Sequence, residues 1–337
     1  MTKSGLLACA AAVLAVTMAV PAQAAPVWTL RWSPTPAGVG LGAFETLEDD
    51  RADSHTSFGP HIKVSGDSYR FDMHMVDRDT STDRQRHEVT GNRTSSTSYL
   101  QWKLGQTWRV TYSMYIPSSL KATTSFTHIF QTKQPGSGTS PITVTSLRRV
   151  NGVQTIEHKV IAGDVLVGRT NLEPLHNKWI DIEYEIKIGD GTAGSVRWVV
   201  KSAGSTVVDA TRTGVDTFLA DRVRPKWGIY RSLGDTSGSL QDTYLLLRNM
   251  KAYQQTGTTT TPSPTPTPTS TPSPSSTPTP TPTPTPTQTG TTSWQPGTAY
   301  AVGATVTYNG VTYRCLQAHT AQTGWEPPTT PALWQRL

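Results

Sequence analysis

A repetitive threonine–proline tract divides this chain of 337 residues and limits what can fold on either side of it. Residues 255–293 consist largely of Thr-Pro repeats with some serine. Such a segment has too few apolar side chains to bury a core, so we expect an extended, polyproline-like spacer. The sequence therefore predicts two separate folded units, at residues 26–254 and 294–337.

The first 25 residues have the pattern of a secretory signal peptide. Lys3 precedes an apolar stretch at residues 6–20, and Ala22 and Ala24 supply the small residues of a cleavage site. The rest of the sequence contains no stretch that is long and apolar enough to span a membrane. We therefore predict a secreted, extracellular protein with no membrane partner.

Cysteine content and charge narrow the classes of partner. Cys9 lies in the predicted signal peptide, which leaves Cys315 unpaired, so no disulfide framework is expected.

The net charge is +6, but the lysines and arginines form no continuous run of the kind that binds nucleic acid. They occur in strand-like segments instead. This distribution favours an acidic polymer held in a groove, and a scattered, solvated charged surface is the default alternative. We expect a monomer.

The composition of residues 26–254 predicts an antiparallel, all-β unit. Short runs of β-branched and aromatic residues alternate with glycine, serine, aspartate and asparagine, as at residues 108–116 and 180–188. We find no long segment with helical periodicity and caps at both ends. A unit of this length fits one large β-sandwich.

Residues 226–231 read Lys-Trp-Gly-Ile-Tyr-Arg and form the most informative of these runs. In a strand, Lys226, Gly228 and Tyr230 share one face, and Trp227 points the other way, into a core. We expect Gly228 to leave space for close approach of a ligand. Nearby cations would favour the ionised form of Tyr230. The simpler alternative is an amphipathic strand with an exposed lysine and tyrosine.

Residues 84–89 form a second candidate strand. Regular alternation places Arg84, Arg86 and Glu88 on one face and His87 on the other. The arginine side chains offer a fork of donors that matches the two oxygens of a carboxylate. A cross-strand ladder of ion pairs is the alternative explanation for the same residues.

Residues 126–133 form a third candidate strand. Regular alternation places His128 on the same face as two phenylalanines, which predicts a core histidine. Gln131 and Lys133 then share the opposite face. The amide of Gln131 can hydrogen-bond a substrate carboxylate, and the ammonium group of Lys133 can offset its charge.

Together, the Arg-x-Glu, Gln-containing and Lys-x-Gly-x-Tyr segments resemble those of polysaccharide lyases with a concave jelly-roll cleft. The relatives are the alginate lyases of family 7, the heparinase I-like lyases and the glucuronan lyases of family 20. Their spacing and the aromatic residue after the lysine favour the last two groups. The resemblance implies a concanavalin-like antiparallel β-sandwich of the jelly-roll type.

The chain departs from the alginate lyases at one position. Those enzymes have Gln-x-His, whereas this chain has Gln131-Thr132-Lys133. In the glucuronan lyases a histidine from an earlier strand belongs to the site, and His87 would fill that role here. On a regular strand His87 cannot share a face with Arg86 and Glu88. Either a β-bulge redirects it, or one of the two, His87 or the Arg86/Glu88 pair, is structural.

The resemblance implies cleavage of a glucuronic acid-containing polymer, glucuronan first among them, by β-elimination. Tyr230, His87 and Gln131 are the predicted catalytic residues. The predicted substrate-binding residues are Arg86, Glu88, Lys133, Lys226 and Arg231. The reaction needs no organic cofactor. Related lyases sometimes carry a structural calcium ion, but the sequence identifies no ligands for it, and we assign no metal ligand.

Residues 294–337 are dense in aromatic residues and resemble carbohydrate-binding modules of families 5 and 12, which mostly bind chitin. The residues expected in the core are Trp294, Tyr313 and Trp334. Trp325, which lies in a proline-containing loop, and Tyr308 are the predicted chitin-binding residues. The pairing of units predicts an enzyme held on walls in which chitin lies beside an acidic polysaccharide, as in some fungi.

Two alternatives remain. Asp181, Glu183 and Glu185 share one face of a candidate strand, as do the carboxylates of glycoside hydrolases on a similar sandwich. Their order, Asp-Glu-Glu, differs from the Glu-Asp-Glu of those hydrolases, and a solvated outer sheet explains the strand equally. The other alternative is a non-catalytic protein with two carbohydrate-binding domains.

Overall fold

The computed structural model describes residues 25–136, 138–258, 292–317, 319–331 and 333–337. The chain divides into two compact units, with the boundary after Thr265. The predicted signal peptide and most of the predicted spacer lie outside the described residues. Among the described residues, every helix is too short or too polar to cross a membrane.

The N-terminal unit is built almost entirely from β-strands. In chain order they are β1 (Pro26–Trp32), β2 (Thr46–Glu48), β3 (Ile62–Ser65), β4 (Ser68–Met73), β5 (Arg84–Thr90), β6 (Thr107–Tyr115), β7 (Thr127–Lys133), β8 (Thr143–Val150), β9 (Val153–Val160), β10 (Val165–Asn171), β11 (Trp179–Lys187), β12 (Gly194–Ser202), β13 (Ser205–Val215), β14 (Arg224–Ser232) and β15 (Thr243–Thr258). The helical elements are α1 (Pro36–Val39) and 3-10 turns at Gly40–Ala43, Ala162–Asp164 and Glu173–Leu175.

These strands form two sheets. The eight-stranded sheet has the order β13-β12-β11-β6-β15-β4-β3, with β1 also paired to β15, and the seven-stranded sheet has the order β10-β9-β8-β7-β14-β5-β2. Neighbouring strands in both sheets are antiparallel. The prediction of an all-β, antiparallel sandwich is therefore confirmed.

Aromatic side chains from both sheets fill the space between them. Trp227 of β14 is fully buried and stacks on Trp32 at a ring-centroid distance of 6.0 Å. Phe130 of β7 packs edge-on against Tyr184 of β11 at 5.0 Å. Each such side chain contributes roughly 2–3 kcal/mol through burial of apolar surface. The inward direction of Trp227 agrees with the alternation expected for residues 226–231.

The first unit extends slightly further than predicted. Strand β15 runs to Thr258, and Pro26 at the start of β1 pairs with Thr258 at its end. Residues 255–258 were assigned to the spacer because of their polar composition. They are a strand because β1 supplies their backbone hydrogen-bond partners, which composition alone cannot reveal.

The C-terminal unit is a small β-structure. Its strands are β16 (Thr292–Ser293), β17 (Ala299–Tyr300), β18 (Thr305–Tyr308), β19 (Val311–Cys315), β20 (His319–Thr320) and β21 (Trp334–Arg336). Its buried core contains Trp294, Tyr313 and Trp334, as predicted, together with Tyr300. Cys315 is also buried there as a free thiol.

Candidate active site

The site lies on the outer face of the seven-stranded sheet, the face that points away from the core. Strands β5 and β14 pair in continuous register, so that Tyr230 lies opposite Arg86 and Gly228 lies opposite Glu88. Lys226 and Arg84 belong to the same face by alternation. The structure thus brings together the outer-face residues of two of the three predicted strands.

A bulge in β7 changes the direction of its side chains. Ile129 and Phe130 are consecutive, yet both are buried in the core, and the pairing of β7 with β8 shifts register between His128 and Phe130. His128 therefore lies opposite Tyr230, while Gln131 lies opposite Lys226. The prediction of a core position for His128 was wrong because it assumed regular alternation.

His87 lies on the inner side of the same sheet. It is fully buried, and its Nε2 atom lies 3.1 Å from Asp77 Oδ2. No register shift occurs between β5 and β14, so nothing redirects the ring towards Tyr230. The predicted catalytic role of His87 beside Tyr230 is therefore inconsistent with the structure.

Arg231 also faces inward. It is 2% exposed, and its Nε atom donates a hydrogen bond to Gln85 Oε1 at 2.6 Å. Burial lowers the pKa of Arg231 to about 10, although Asp77 and Asp242 partly oppose this shift. The prediction that Arg231 binds substrate was wrong. Alternation along β14 places Tyr230 and Ser232 on the outer face and Arg231 on the inner face.

Gly228 is required for a different reason from the one predicted. Its φ is +140°, and a Cβ atom there would lie 2.1 Å from the carbonyl oxygen of His87 on β5. The close approach of the neighbouring strand, and not an approaching ligand, therefore excludes a side chain at this position.

A cavity of about 620 Å³ opens on this face and is lined by Tyr230. Six cationic and two acidic side chains also line it. They are Arg51, Arg84, Arg86, Lys133, Arg224 and Lys226, with Glu48 and Asp79. This excess of positive charge in a concave surface attracts polyanions.

Two arginines hold Tyr230. Arg84 Nη1 donates a hydrogen bond of 2.7 Å to the phenolic oxygen, and the Arg86 guanidinium lies 3.8 Å from the ring centroid. Hydrogen bonds to Asp83 and Tyr230 raise the pKa of Arg84, so this side chain stays cationic. The two guanidinium groups thus contact the phenol at its oxygen and at the face of its ring.

His128 is a half-buried, neutral neighbour of Tyr230. The two ring centroids are 5.8 Å apart, and His128 Nδ1 lies 2.6 Å from Ser146 Oγ. Burial, with Arg148 and Arg86 nearby, lowers the pKa of His128 to about 3. The ring can therefore offer a hydrogen bond without a charge at neutral pH.

A buried network supports the cations from below. Gln131 Nε2 donates to Glu88 Oε1 at 2.6 Å, and Lys226 Nζ lies 3.1 Å from Glu88 Oε2. Lys226 also donates to Glu48. Burial raises the pKa of Glu48, but Lys226 and Arg86 outweigh it and bring the value to about 2. Gln131, at 2% exposed, therefore orients the charges beneath the cavity.

Lys133 differs from the other cations of the cavity. Among the described residues, no carboxylate lies within ion-pair distance of its ammonium group. Burial and the neighbouring Lys226 and Arg86 lower the pKa of Lys133. Because none of the described carboxylates pairs with it, the ammonium group of Lys133 is available to an incoming anion.

The carboxylates of the hydrolase alternative lie on the opposite surface. Asp181, Glu183 and Glu185 are on β11 of the eight-stranded sheet, where two of them line a separate cavity of about 410 Å³. Arg197 Nη1 lies 2.7 Å from Glu183 Oε1 and 3.0 Å from Glu185 Oε1. These contacts form the cross-strand ion pairs of a solvated sheet.

The C-terminal unit places its two predicted chitin-binding residues differently. Trp325 is 38% exposed, as expected of a ring that stacks on a sugar. Tyr308 is half-buried and packs edge-on against Trp294, with ring centroids 5.5 Å apart. Trp325 is thus the more accessible of the two rings.

Sequence comparison characterises the C-terminal unit. Residues 293–335 match the family model described as carbohydrate-binding module family 5/12, which confirms the resemblance seen in the sequence. Streptogrisin-C of Streptomyces griseus is 73% identical over 45 residues, which are 13% of this chain and 10% of that protein. Chitinase A1 of Niallia circulans is 61% identical over 46 residues, which are 14% of this chain and 7% of that protein. The chain thus spans about a tenth or less of the length of these curated relatives.

Structure comparison finds alginate and glucuronan lyases among the similar solved structures. A family 14 alginate lyase from Aplysia kurodai has a TM-score of 0.42 and 18% identity, and the match covers 68% of this chain and 99% of that chain. The endo-β-1,4-glucuronan lyase of Trichoderma reesei has a TM-score of 0.39 and 15% identity, with coverage of 61% and 86%.

Proposed function

We propose that this protein is a secreted enzyme that cleaves a glucuronic acid-containing polysaccharide, with glucuronan as the best candidate, by β-elimination. The observation that carries the proposal is the cation-lined cavity in which Arg84 holds the hydroxyl group of Tyr230. A polymer with a carboxylate on each sugar complements this charge. His128 lies beside Tyr230 as a neutral hydrogen-bonding group.

Tyr230 carries the proton transfers in this scheme. Its phenolate oxygen removes the C5 proton, the electron pair forms the C4–C5 double bond, and the bond from C4 to the glycosidic oxygen breaks. The resulting phenol returns the proton to the leaving oxygen. In a glucuronic acid residue the C5 proton and the C4 oxygen leave from the same side of the ring, so one group can serve both.

The neighbouring cations stabilise the negative charge that is present on Tyr230 and then develops on the sugar. Arg84 and Arg86 stabilise the phenolate before proton removal and the developing negative charge on the sugar carboxylate afterwards. Lys133 binds a carboxylate of the polymer elsewhere in the cavity, because it has no partner among the described carboxylates. Gln131 and Glu88 hold Lys226 in place from beneath.

We further propose that the C-terminal unit binds chitin and holds the enzyme on chitin-containing walls. The match to carbohydrate-binding module family 5/12 and the exposed ring of Trp325 support this role. Trp325→Ala should weaken retention on insoluble chitin about tenfold or more, because stacking of an aromatic ring on the sugar is lost. Thermal unfolding of the variant serves as the control for folding.

The reaction is tested by incubating the purified full chain with glucuronan, and separately with alginate, hyaluronan and heparin-type chains. Elimination creates a double bond conjugated to the carboxylate, which absorbs in the ultraviolet, whereas hydrolysis creates none. An absorbance increase on a glucuronic acid polymer supports the proposal. New reducing ends without that absorbance would favour the hydrolase, and no cleavage of any polymer would favour a binding protein.

A further inference from the structure

Three histidines and an aspartate converge beside the buried ring of His87, which stacks on His61 with ring centroids 4.3 Å apart. His55 lies in the loop between β2 and β3, His61 directly precedes β3, and His74 directly follows β4. Asp77 is fully buried a few residues later. One potential ligand atom from each of the four residues lies within 4.8 Å of the others.

The distances within the cluster suit a tetrahedral metal ion. Asp77 Oδ1 lies 2.9 Å from His55 Nδ1 and 3.3 Å from His61 Nε2, and His74 offers a ligand atom within 4.8 Å of those of the other three. In a tetrahedral zinc site the ligand atoms lie about 2.0–2.1 Å from the metal, which places neighbouring ligand atoms about 3.4 Å apart.

The two ring nitrogens of His61 both face carboxylates. Its Nδ1 atom lies 3.3 Å from Asp49 Oδ1, and its Nε2 atom lies 3.3 Å from Asp77 Oδ1. A neutral imidazole has one N–H group, so one nitrogen presents a lone pair to a carboxylate. Within the described part of the chain, neither ring nitrogen of His61 nor Nδ1 of His74 has a hydrogen-bond partner, although all three are buried. A metal ion between Nε2 and Asp77 removes this conflict.

His87 holds the aspartate in the orientation that such an ion needs. The backbone N–H group of Asp50 donates to His87 Nδ1 at 3.2 Å, so the ring proton is on Nε2 and is donated to Asp77 Oδ2. The backbone N–H group of His74 donates to the same oxygen at 2.6 Å. Oδ2 is therefore occupied, and Oδ1 remains to bind a metal.

We propose that His55, His61, His74 and Asp77 bind one divalent transition-metal ion, with zinc as the best match. Imidazole nitrogens with a single carboxylate suit zinc, whereas calcium takes about six to eight oxygen ligands. Four protein ligands complete the coordination, so the ion is structural. Phe58 packs over the cluster, with its ring centroid 4.1 Å from that of His74.

The proposed ion fixes a loop that also forms part of the cavity wall. Arg51, in the same loop as His55, donates to Glu48 Oε1 and to Asp79 Oδ1, each at 3.0 Å. Glu48 and Asp79 both line the cavity. Binding of the metal therefore stabilises the segment that presents these side chains.

Metal analysis of the tag-free full chain, purified without chelators and dialysed against zinc, tests the proposal. We expect about one zinc ion per chain. A strong chelator should lower the thermal unfolding midpoint by about 5 °C or more, and zinc but not calcium should restore it. Cobalt substitution should give the intense visible absorption of tetrahedral Co²⁺. A chain that takes up no transition metal, or retains calcium instead, would overturn the proposal.

Variants locate the ion. His55→Gln and His74→Gln should lose the zinc, whereas His176→Gln, at a buried histidine outside the cluster, should retain it. Equal zinc content in all three variants would place the metal elsewhere and contradict the assignment. If the first two variants fail to fold, the cobalt spectrum of the unaltered chain decides, because octahedral or absent cobalt excludes this ligand set.

Discussion

The outer faces of the two sheets carry similar residues but use them differently. On the eight-stranded sheet, Glu183 and Glu185 pair with Arg197 at the protein surface. On the seven-stranded sheet, Lys226 is 4% exposed and lines a cavity with excess positive charge, and Glu88 is fully buried beneath it. The first arrangement satisfies its own charges, whereas the second leaves positive charge for a ligand.

The strands that carry these residues also differ in the regularity of their pairing. The β11 strand pairs with β6 and β12 without a register shift, so its charges form a regular ladder. Strands β7 and β14 contain register shifts that place His128 beside Tyr230. Bulges redirect side chains and are frequent near active sites. The cation-lined cavity and the contact of His128 with Tyr230 favour the seven-stranded sheet as the reactive face.

The largest expected effect is at Tyr230. Tyr230→Phe should reduce elimination at least about 100-fold, because it removes only the oxygen that transfers the proton. The measurement is the initial rate of ultraviolet absorbance increase on the polymer that the unaltered chain cleaves. An unchanged unfolding midpoint and normal chitin retention are the controls. Near-normal activity in this variant would contradict the assignment of the reactive face.

A smaller loss of activity, about tenfold to 100-fold, is expected for His128→Ala, which removes a hydrogen-bonding group beside Tyr230.

His128→Ala should also change the pH dependence of the free energy of unfolding. Since the pKa of His128 is lowered to about 3, the unfolded chain binds its proton from about pH 6.5 downward while the folded chain does not. The unaltered chain therefore loses stability between these two pH values.

Chemical unfolding at several pH values measures this contribution, which should be absent in His128→Ala. The kinetics distinguish His128 from a merely structural residue, because His128→Ala should lower kcat at pH 7 even where the protein is fully folded. Equal kcat in both proteins would limit His128 to a role in stability.

Lys133→Met should raise KM about threefold to tenfold and leave kcat nearly unchanged, because it removes a charge that binds the polymer away from the reacting bond. Added salt should weaken substrate binding less in the variant than in the unaltered chain. Steady-state kinetics at two ionic strengths measure both effects. A loss confined to kcat would instead place Lys133 at the reacting sugar.

The smallest effect is expected on the other sheet. Glu183→Gln combined with Glu185→Gln should change activity less than about twofold and stability by about 1 kcal/mol or less, because exposed ion pairs contribute little. Activity assays and thermal unfolding measure both. A large loss of activity would transfer the reactive face to the eight-stranded sheet.

Regular alternation was sufficient for much of the fold and for part of the site. The inward direction of Trp227 and the shared face of Arg86, Glu88 and Tyr230 follow from it. The position of His128 does not, because a bulge depends on the pairing of β7 with its neighbours and leaves no pattern in one sequence. The same alternation correctly separated His87 from Arg86, and the resemblance to the glucuronan lyases was the reason for assigning it a catalytic role.

The histidine–aspartate cluster was missed for another reason. Its members come from a loop and from two strand ends, and their spacing matches no compact metal-binding motif. Only the tertiary structure brings His55 and His61 to Asp77. The sequence spacing of these four residues therefore does not predict a metal site without knowledge of the fold.

The ratio of unsaturated products to new reducing ends distinguishes elimination from hydrolysis in a single reaction. Each elimination event creates one C4–C5 double bond and one reducing end. We therefore expect double bonds and reducing ends in equal amounts throughout digestion of a glucuronic acid polymer. Both quantities can be followed in one reaction, by ultraviolet absorbance and by a reducing-sugar assay, and both should disappear together in Tyr230→Phe. Reducing ends formed without double bonds, and retained in Tyr230→Phe, would show that the chain hydrolyses the polymer without using Tyr230.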